Sequence, residues 1–148
     1  MATPMDQDIP ELNEFLCFEI YASNLSFGRV YKPVLDPLGL TYPQFLVLYL
    51  LWRKDARSVG EIAGALGLET STLTPLIKRL EQAGFVTRKR DPSDERRVKV
   101  SLAPRGEVAR THLDEIRDCV GRATGLTLEE AQELQTSLRK LRTHLADS

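Results

Sequence analysis

Residues 66–102 read LGLETSTLTPLIKRLEQAGFVTRKRDPSDERRVKVSL, and this stretch decides the fold of the chain. Leu66 closes a short apolar helix, Gly67 supplies a turn, and the segment from about Thr70 to Gly84 has the apolar spacing of a second helix. A strand, a polar turn at residues 91–95 and an alternating strand follow. Two helices around a tight turn, followed by a charged hairpin, predict a winged helix-turn-helix, which places one helix in the major groove of DNA and the hairpin beside it.

The second predicted helix carries polar side chains opposite its apolar face. Its buried side is predicted from four residues at three- and four-residue steps, which are Leu73, Leu76, Ile77 and Leu80. Pro75 fits only near the first turn, because deeper in the helix it would remove a hydrogen bond at a cost of about 3 kcal/mol. We expect base contacts from Ser71, Thr72 and Thr74, and contacts to phosphate or guanine from Lys78 and Arg79.

Positive charge is concentrated where the chain is predicted to meet DNA. The formal net charge is −1, and residues 1–52 carry six acidic against two basic residues. Residues 78–99 carry eight basic against four acidic residues, and two of the eight, Arg96 and Arg97, are expected DNA contacts in the hairpin. A charged hairpin by itself is more often a solvated edge, but the Ser- and Thr-rich helix before it favours DNA binding.

Composition is typical of a globular protein with one domain, or one small domain with helical extensions. Hydrophobic residues make up 42% of the 148 and charged residues 28%. No apolar run approaches about 18 residues and the N-terminus does not resemble a signal peptide, so no membrane segment is predicted. Two cysteines, Cys17 and Cys119, argue against a disulfide scaffold and for a reducing cytoplasm. His112 and His144 lack ligand spacing with any acidic or cysteine cluster, so neither a metal nor another cofactor is expected.

Helical patterns precede the winged segment. Residues 1–9 are expected to fray, and a helix is predicted over residues 10–34, broken by Pro33, Pro37 and Gly39. Two capping boxes, Thr41 with Gln44 and Ser58 with Glu61, predict helices over residues 45–52 and 59–66.

Helical patterns also follow the winged segment. One helix is predicted over residues 104–122, closed by Gly121 and Gly125, and Thr127 is expected to cap the last helix. That helix carries an apolar stripe of Leu128, Ala131, Leu134, Leu138, Leu141 and Leu145. These outer helices exceed what DNA reading needs, so a homodimer is the economical expectation, although helices folded back on their own chain would also satisfy the pattern. The predicted divisions are an N-terminal sensing and dimerisation segment (1–40), a DNA-binding domain (41–102) and C-terminal dimerisation helices (103–148).

The layout as a whole resembles the MarR family of regulators over roughly residues 10–146. It includes the family's wing turn, Asp91-Pro92-x-Asp94-x-Arg96. The resemblance implies a mainly α fold with a small β-wing, and a dimeric DNA-binding repressor rather than an enzyme. It also implies that Arg96 enters the minor groove and that Asp94 supports the wing.

A narrower resemblance is carried by five segments, at residues 16–18, 20–23, 31–33, 40–44 and 72–76. They are similar to those of the OhrR group, thiol-based repressors that sense organic hydroperoxides. The resemblance implies that peroxide oxidises Cys17, that Tyr31 and Tyr42 donate hydrogen bonds to its sulfur, and that Cys119 of the other subunit resolves the oxidised thiol. Phenol donors would favour the thiolate and lower its pKa.

Other interpretations of the two cysteines and of the whole chain remain open at this point. A cysteine on an apolar helical face is commonly a small core residue. The alternative for Cys119 is an inert surface thiol, with a small cellular thiol resolving oxidised Cys17 in its place. The chain could instead be a repressor released by a small apolar or phenolic ligand, with Cys17 inert. A thiol peroxidase that carries a winged helix is a third possibility, although no residue points to a recycling system.

Overall fold

The computed structural model describes residues 9–148, and the expectation for residues 1–8 lies outside them. The helices are α1 (Leu16–Leu35), α2 (Tyr42–Arg53), α3 (Val59–Leu66), α4 (Thr70–Gln82), α5 (Pro104–Ala109), α6 (Leu113–Ala123) and α7 (Leu128–Ala146). The strands are β1 (Arg57–Ser58), β2 (Val86–Asp91) and β3 (Asp94–Leu102), with short 3₁₀ turns at Leu12–Glu14, Asp36–Leu38 and Arg110–His112. The prediction of a mainly helical winged helix-turn-helix is confirmed.

Helix α1 begins later and ends later than predicted. Phe15, at its N-cap, is extended and offers no capping side chain, so residues 10–15 are not part of the helix. The prediction that Pro33 breaks the helix was wrong, because Pro33 lies inside its last turn. The helix continues through that missing hydrogen bond because Leu35, its last residue, is buried and receives a hydrogen bond from the amide of Leu40. Gly39, at φ +73°, makes the turn that follows.

The two predicted capping boxes differ in the structure. Thr41 and Gln44 form the complete reciprocal pair, and α2 therefore starts at Tyr42, three residues earlier than predicted. The Ser58 hydroxyl accepts a hydrogen bond from the Glu61 amide at 3.1 Å, but the Glu61 carboxylate does not accept the reciprocal bond from the Ser58 amide. Helix α3 nevertheless has the predicted bounds, and Gly67 closes it at φ +67°.

The prediction for Pro75 in helix α4 was also wrong. The helix starts at Thr70, so Pro75 lies beyond the first turn, where we expected it could not fit. The carbonyl of Ser71 thereby loses its helical donor. The helix tolerates this because Leu73, Ile77 and Leu80 are all fully buried, and packing outweighs the one missing bond.

The wing is a three-stranded antiparallel sheet in the order β1-β3-β2. The short strand β1, whose Arg57 pairs with Val100, was not predicted, because two residues give no periodicity. The hairpin turn is also tighter than expected: Asp91 already faces Asp94 across the ladder, which leaves only Pro92 and Ser93 between the strands. The chain divides into two compact units, one ending at His112 and the other spanning Leu113–Ser148.

The core of the first unit lies among α2, α3, α4 and the sheet. Its fully buried side chains are Leu35, Val47, Leu48, Leu51, Ile62, Leu73, Ile77, Leu80, Phe85, Val86 and Val100. Helix α5 approaches this core through Gly106, where an added Cβ would lie 2.2 Å from the Phe85 carbonyl oxygen. Only glycine therefore permits this contact.

The second unit contains α6 and α7. The helix predicted over residues 104–122 is interrupted by the 3₁₀ turn Arg110–His112, and Gly121 lies inside α6 instead of closing it. Gly125, at φ +66°, precedes α7, whose start Thr127 caps in a complete box with Glu130. The predicted stripe of α7 is exposed in large part, Leu128 to 76%. Among residues 9–148 no single helix has the length and apolar character to span a membrane, and only α1 with its 3₁₀ extension and α2, as a pair bent by 69°, reach that composition together.

Candidate DNA interface and cysteine site

Helix α4 presents the predicted DNA-reading side chains to solvent. Ser71, Thr72, Lys78 and Arg79 are exposed, on the side opposite to the buried Leu73 and Ile77. Thr74 is half-buried, and its hydroxyl donates to the Thr70 carbonyl at 2.8 Å. That hydroxyl keeps its lone pairs free as acceptors, so donors are offered by Ser71, Thr72 and the two basic residues.

A cleft of about 620 Å³ lies between the first turns of α3 and α4 and the wing. Its walls are Ser58, Val59, Gly60, Glu61, Thr70, Thr74, Arg88, Arg96, Arg97 and Val98. Three arginines, the Glu61 carboxylate and the positive ends of two helices line this cleft, so its attraction for an anion such as a DNA phosphate depends on which arginines are already paired.

The three arginines of the cleft have different partners. Arg88 binds Glu81 at the end of α4 through Nε at 3.2 Å and Nη2 at 3.1 Å, and its backbone amide donates to the same carboxylate at 3.0 Å. This hydrogen bonding lowers the pKa of Glu81. Arg88 therefore fixes β2 to the recognition helix, and its charge is already compensated.

Arg97 and Arg96 are neighbours on β3, and they also differ in their side-chain partners. Arg97 donates to Glu61 at 3.2 Å and to the Ser58 hydroxyl at 3.4 Å, which ties the wing to the start of α3. The guanidinium of Arg96 meets no acceptor among residues 9–148, while its backbone amide donates to Asp94 Oδ1 at 3.0 Å. Asp94 therefore contacts the backbone of Arg96, and the Arg96 side chain remains available at the edge of the cleft.

Asp91 holds the tip of the wing together, a role that the sequence reasoning missed. Its carboxylate accepts from the Ser93 amide at 3.0 Å and from the Ser93 hydroxyl at 2.7 Å, and lies 3.8 Å from Lys99 Nζ. The hydrogen bonds from Ser93 lower the pKa of this largely covered carboxyl. An Asp two residues before a Ser in a hairpin turn is the signal for this motif.

Cys17 lies in the first turn of α1 and is exposed. Its thiol makes no hydrogen bond within the described part of the chain. Phe15 and Leu16 beside it are 45% and 63% exposed, so the apolar pocket that we expected around the sulfur is open in a single chain. Tyr21 lies one helical turn beyond Cys17 and is also exposed.

Tyr31 and Tyr42 lie together, at the other end of α1. Their ring centroids are 4.5 Å apart. Burial, followed by the charge and hydrogen bonding of neighbouring Tyr42, raises the pKa of Tyr31 to about 12, and burial also raises that of Tyr42. Both phenols are thus protonated at neutral pH, and they hydrogen-bond to each other.

One chain cannot bring these phenols to its own thiol. Cys17 and Tyr31 are 14 residues apart on the same continuous helix, which at about 1.5 Å per residue separates them by about 21 Å along the axis. The predicted pairing of the two tyrosines is present, whereas their contact with Cys17 is absent from a single chain.

Cys119 lies on α6 and is half-buried with a free thiol. Among residues 9–148 no group of three His, Cys, Asp or Glu side chains is placed to hold a metal ion.

Comparison with known proteins identifies relatives over most of the chain. The MarR family model matches residues 40–98. The regulator TtmR of Methylorubrum extorquens is 44% identical over 93% of this chain and 71% of its own length. The organic hydroperoxide resistance transcriptional regulator of Bacillus subtilis is 40% identical over 86% of this chain and 85% of its own. Reduced AbfR bound to DNA, from Staphylococcus epidermidis, superposes with a TM-score of 0.74 at 31% identity, covering 93% of this chain and 96% of that one. The chain therefore belongs to the MarR family of DNA-binding transcriptional regulators.

Proposed function

We propose that this regulator is a homodimeric repressor that releases its operator when an organic hydroperoxide oxidises Cys17. The observation that carries the proposal is the division of the sensing residues between the two ends of α1. Cys17 is exposed at one end, and two protonated phenols, Tyr31 and Tyr42, are paired at the other. Two antiparallel α1 helices would bring the thiol of each chain to the phenols of its partner, at two equivalent sites.

Exposed apolar residues on the outer helices support such a dimer. Helix α1 exposes Leu16, Ile20, Leu25 and Phe27, and α7 exposes Leu128, Leu134 and Leu145. Large apolar side chains left in water along whole helices are typical of surfaces that pair with another copy. Residues 1–40 and 103–148 would then form the dimer, and residues 41–102 would bind DNA.

The chemistry requires only a thiolate and a hydroperoxide. The Cys17 thiolate attacks the outer oxygen of the O–O bond, forming the sulfenic acid, and the alkoxide leaves as an alcohol after taking a proton. Phenol donors from Tyr31 and Tyr42 of the second copy would stabilise the thiolate. The apolar side chains near Cys17 favour a peroxide with an organic substituent over hydrogen peroxide.

We further propose that the protein releases its operator when a disulfide has formed, and not already when Cys17 is a sulfenic acid. AbfR has been solved reduced and bound to DNA, overoxidised and bound to DNA, and with its disulfide formed. In that relative, therefore, an oxidised form is compatible with DNA. Here the thiol of Cys119 would attack the sulfenic acid of Cys17 in the other subunit, forming the disulfide and releasing water.

DNA binding would use α4 in the major groove and the wing at its edge. Ser71 and Thr72 would read bases, Lys78 and Arg79 would contact phosphate or guanine, and Thr74 would accept hydrogen bonds. Arg96, whose guanidinium meets no acceptor among residues 9–148, would enter the minor groove, and Arg97 would reach DNA only by exchanging its contact with Glu61.

The deciding experiment compares wild type with Cys17→Ser and, as the matched control, Cys119→Ser. An operator would first be selected from random duplexes with the reduced protein. Binding would then be titrated before and after cumene hydroperoxide, with thiol oxidation and cross-linking followed by mass spectrometry and non-reducing electrophoresis. We expect wild type to release DNA as a covalent dimer linked Cys17–Cys119′, and Cys17→Ser to bind DNA and ignore peroxide.

Three results would contradict parts of this proposal. Release of Cys17→Ser by peroxide would exclude Cys17 as the sensor and leave a ligand-released repressor. Release of wild type and of Cys119→Ser as uncross-linked chains would exclude the inter-subunit disulfide and leave a small external thiol. Continuous peroxide consumption at a rate independent of DNA would indicate a thiol peroxidase.

A further inference from the structure

A chain of aromatic rings leads away from the Tyr31–Tyr42 pair. Phe45 lies 6.0 Å from Tyr31 and 6.4 Å from Tyr42, measured between ring centroids. Trp52, the only tryptophan of the chain, meets Phe45 edge-on at 6.0 Å, two turns further along α2. Tyr49 completes the cluster at 6.5 Å from Trp52. Phe45, which contacts the other four rings, is buried, so a displaced Tyr31 or Tyr42 ring would press on it first.

The far end of this ring chain is fixed to α5. The indole Nε1 of Trp52 donates to the Gly106 carbonyl at 2.9 Å. This bond joins residues 54 positions apart, and no periodicity in the sequence indicates it. A displacement of the α2 rings is therefore transmitted to the first turn of α5 through a directional contact.

The first turn of α5 in turn holds the end of the recognition helix. Arg105 donates through Nη1 to the carbonyl of Ala83, the C-cap of α4, at 2.8 Å. The same guanidinium lies 4.3 Å from the ring centre of Phe85. Gly106 touches the Phe85 backbone so closely that no Cβ fits. These contacts connect the C-terminal end of α4 and the Phe85 that follows it to the first turn of α5.

We propose that Trp52 is the positioning residue that couples the state of the Tyr31–Tyr42 pair to the placement of α4 on DNA, through its hydrogen bond to Gly106. This inference rests on the proposed function in so far as Cys17 oxidation is the event that displaces the tyrosines. The coupling itself is a property of the fold and can be measured without peroxide.

The first test is a double-mutant cycle on operator affinity in the reduced protein, with Tyr42→Ala and Trp52→Phe. Phenylalanine keeps an aromatic ring against Phe45 and removes the donor to Gly106. The matched control cycle replaces Trp52→Phe with Tyr49→Phe, because Tyr49 belongs to the same cluster and its hydroxyl makes no hydrogen bond within residues 9–148. We expect the Tyr42 and Trp52 effects to be non-additive by about threefold or more, and the control cycle to be additive.

The second test measures release. After oxidation to the same extent at Cys17, Trp52→Phe should lose several-fold less operator affinity than wild type or Tyr49→Phe. Thermal unfolding of each variant separates this from a general loss of stability, which would lower affinity equally in both redox states.

The outcomes are distinct. An additive Tyr42–Trp52 cycle, or full release by oxidised Trp52→Phe, would overturn the coupling role. If wild type is oxidised at Cys17 without releasing DNA, the proposed function fails, and the cycle alone still decides whether Trp52 couples the two regions.

Discussion

Replacing Gly106 by alanine tests the junction between α5 and the end of the recognition helix. The new Cβ would lie 2.2 Å from the Phe85 carbonyl oxygen, about 1 Å or more inside van der Waals contact. Overpacking of this kind costs about 1–3 kcal/mol. Because the obstacle is backbone, a rotamer change cannot relieve it, and α5 has to move.

Two hydrogen bonds are lost or strained by that movement. Ala103 donates to the Phe85 carbonyl at 2.9 Å, and Trp52 donates to the Gly106 carbonyl at 2.9 Å. Each contributes on the order of 1 kcal/mol, whereas alanine gains about 1 kcal/mol in helix propensity over glycine. We therefore expect Gly106→Ala to lower the free energy of unfolding by about 2–4 kcal/mol.

Gly64→Ala is the matched control. Gly64 lies inside α3, and a Cβ there meets nothing within 4 Å, so alanine should stabilise by about 0.5–1 kcal/mol. Urea unfolding of both variants at one protein concentration measures the difference, since the stability of a dimer depends on concentration. If Gly106→Ala proves as stable as Gly64→Ala, the tight contact with Phe85 does not exist and the coupling inferred above loses its anchor.

Three further predictions follow from the remaining geometry. Arg96→Ala should weaken operator binding by about 1–3 kcal/mol and reduce its salt dependence by about one counterion, and an unchanged salt slope would remove Arg96 from the interface. Tyr31→Phe and Tyr42→Phe should each slow alkylation of Cys17 near neutral pH, because each removes a donor proposed to favour the thiolate, and identical rate–pH profiles in all three proteins would show that the phenols do not activate the thiol. Ala56→Gly should raise the free energy of unfolding by about 0.5–1 kcal/mol, because Ala56 has φ +56°, and calorimetry showing destabilisation would contradict that strain.

Local signals predicted most of the winged helix. Thr41 with Gln44 and Gly67 act within one helical turn, so their structural consequences can be derived from neighbouring residues alone. The errors at Pro33 and Pro75 have one common cause. Each proline was judged by the hydrogen bond it removes, whereas Leu35 and Ile77 nearby bury enough apolar surface to keep the helix intact.

Contacts between distant residues were beyond prediction from one sequence. The charge excess of residues 78–99 was counted as if every arginine were free, but Arg88 is paired with Glu81 and Arg97 with Glu61. Glu61 lies 36 residues from Arg97, so no local pattern indicates the pair. Of the two wing arginines expected at DNA, Arg96 and Arg97, only Arg96 has a guanidinium that meets no acceptor among residues 9–148.

The proposed division of the sensor between two chains also bears on which oxidised state would release DNA. Moving a two-state equilibrium from 99:1 to 1:99 requires about 5.5 kcal/mol. A sulfenate on Cys17 would still accept hydrogen bonds from Tyr31 and Tyr42 of the second copy, so little of that free energy would be withdrawn. A disulfide removes the anionic acceptor, and hydrogen bonds to a charged group contribute about 1.5–3 kcal/mol each. Two bonds at each of two symmetric sites amount to about 6–12 kcal/mol, enough to change the state of the whole dimer. The energy of the switch would thus reside in the loss of the thiolate at both α1 contacts, which is why the cross-linked state is the one expected to release the operator.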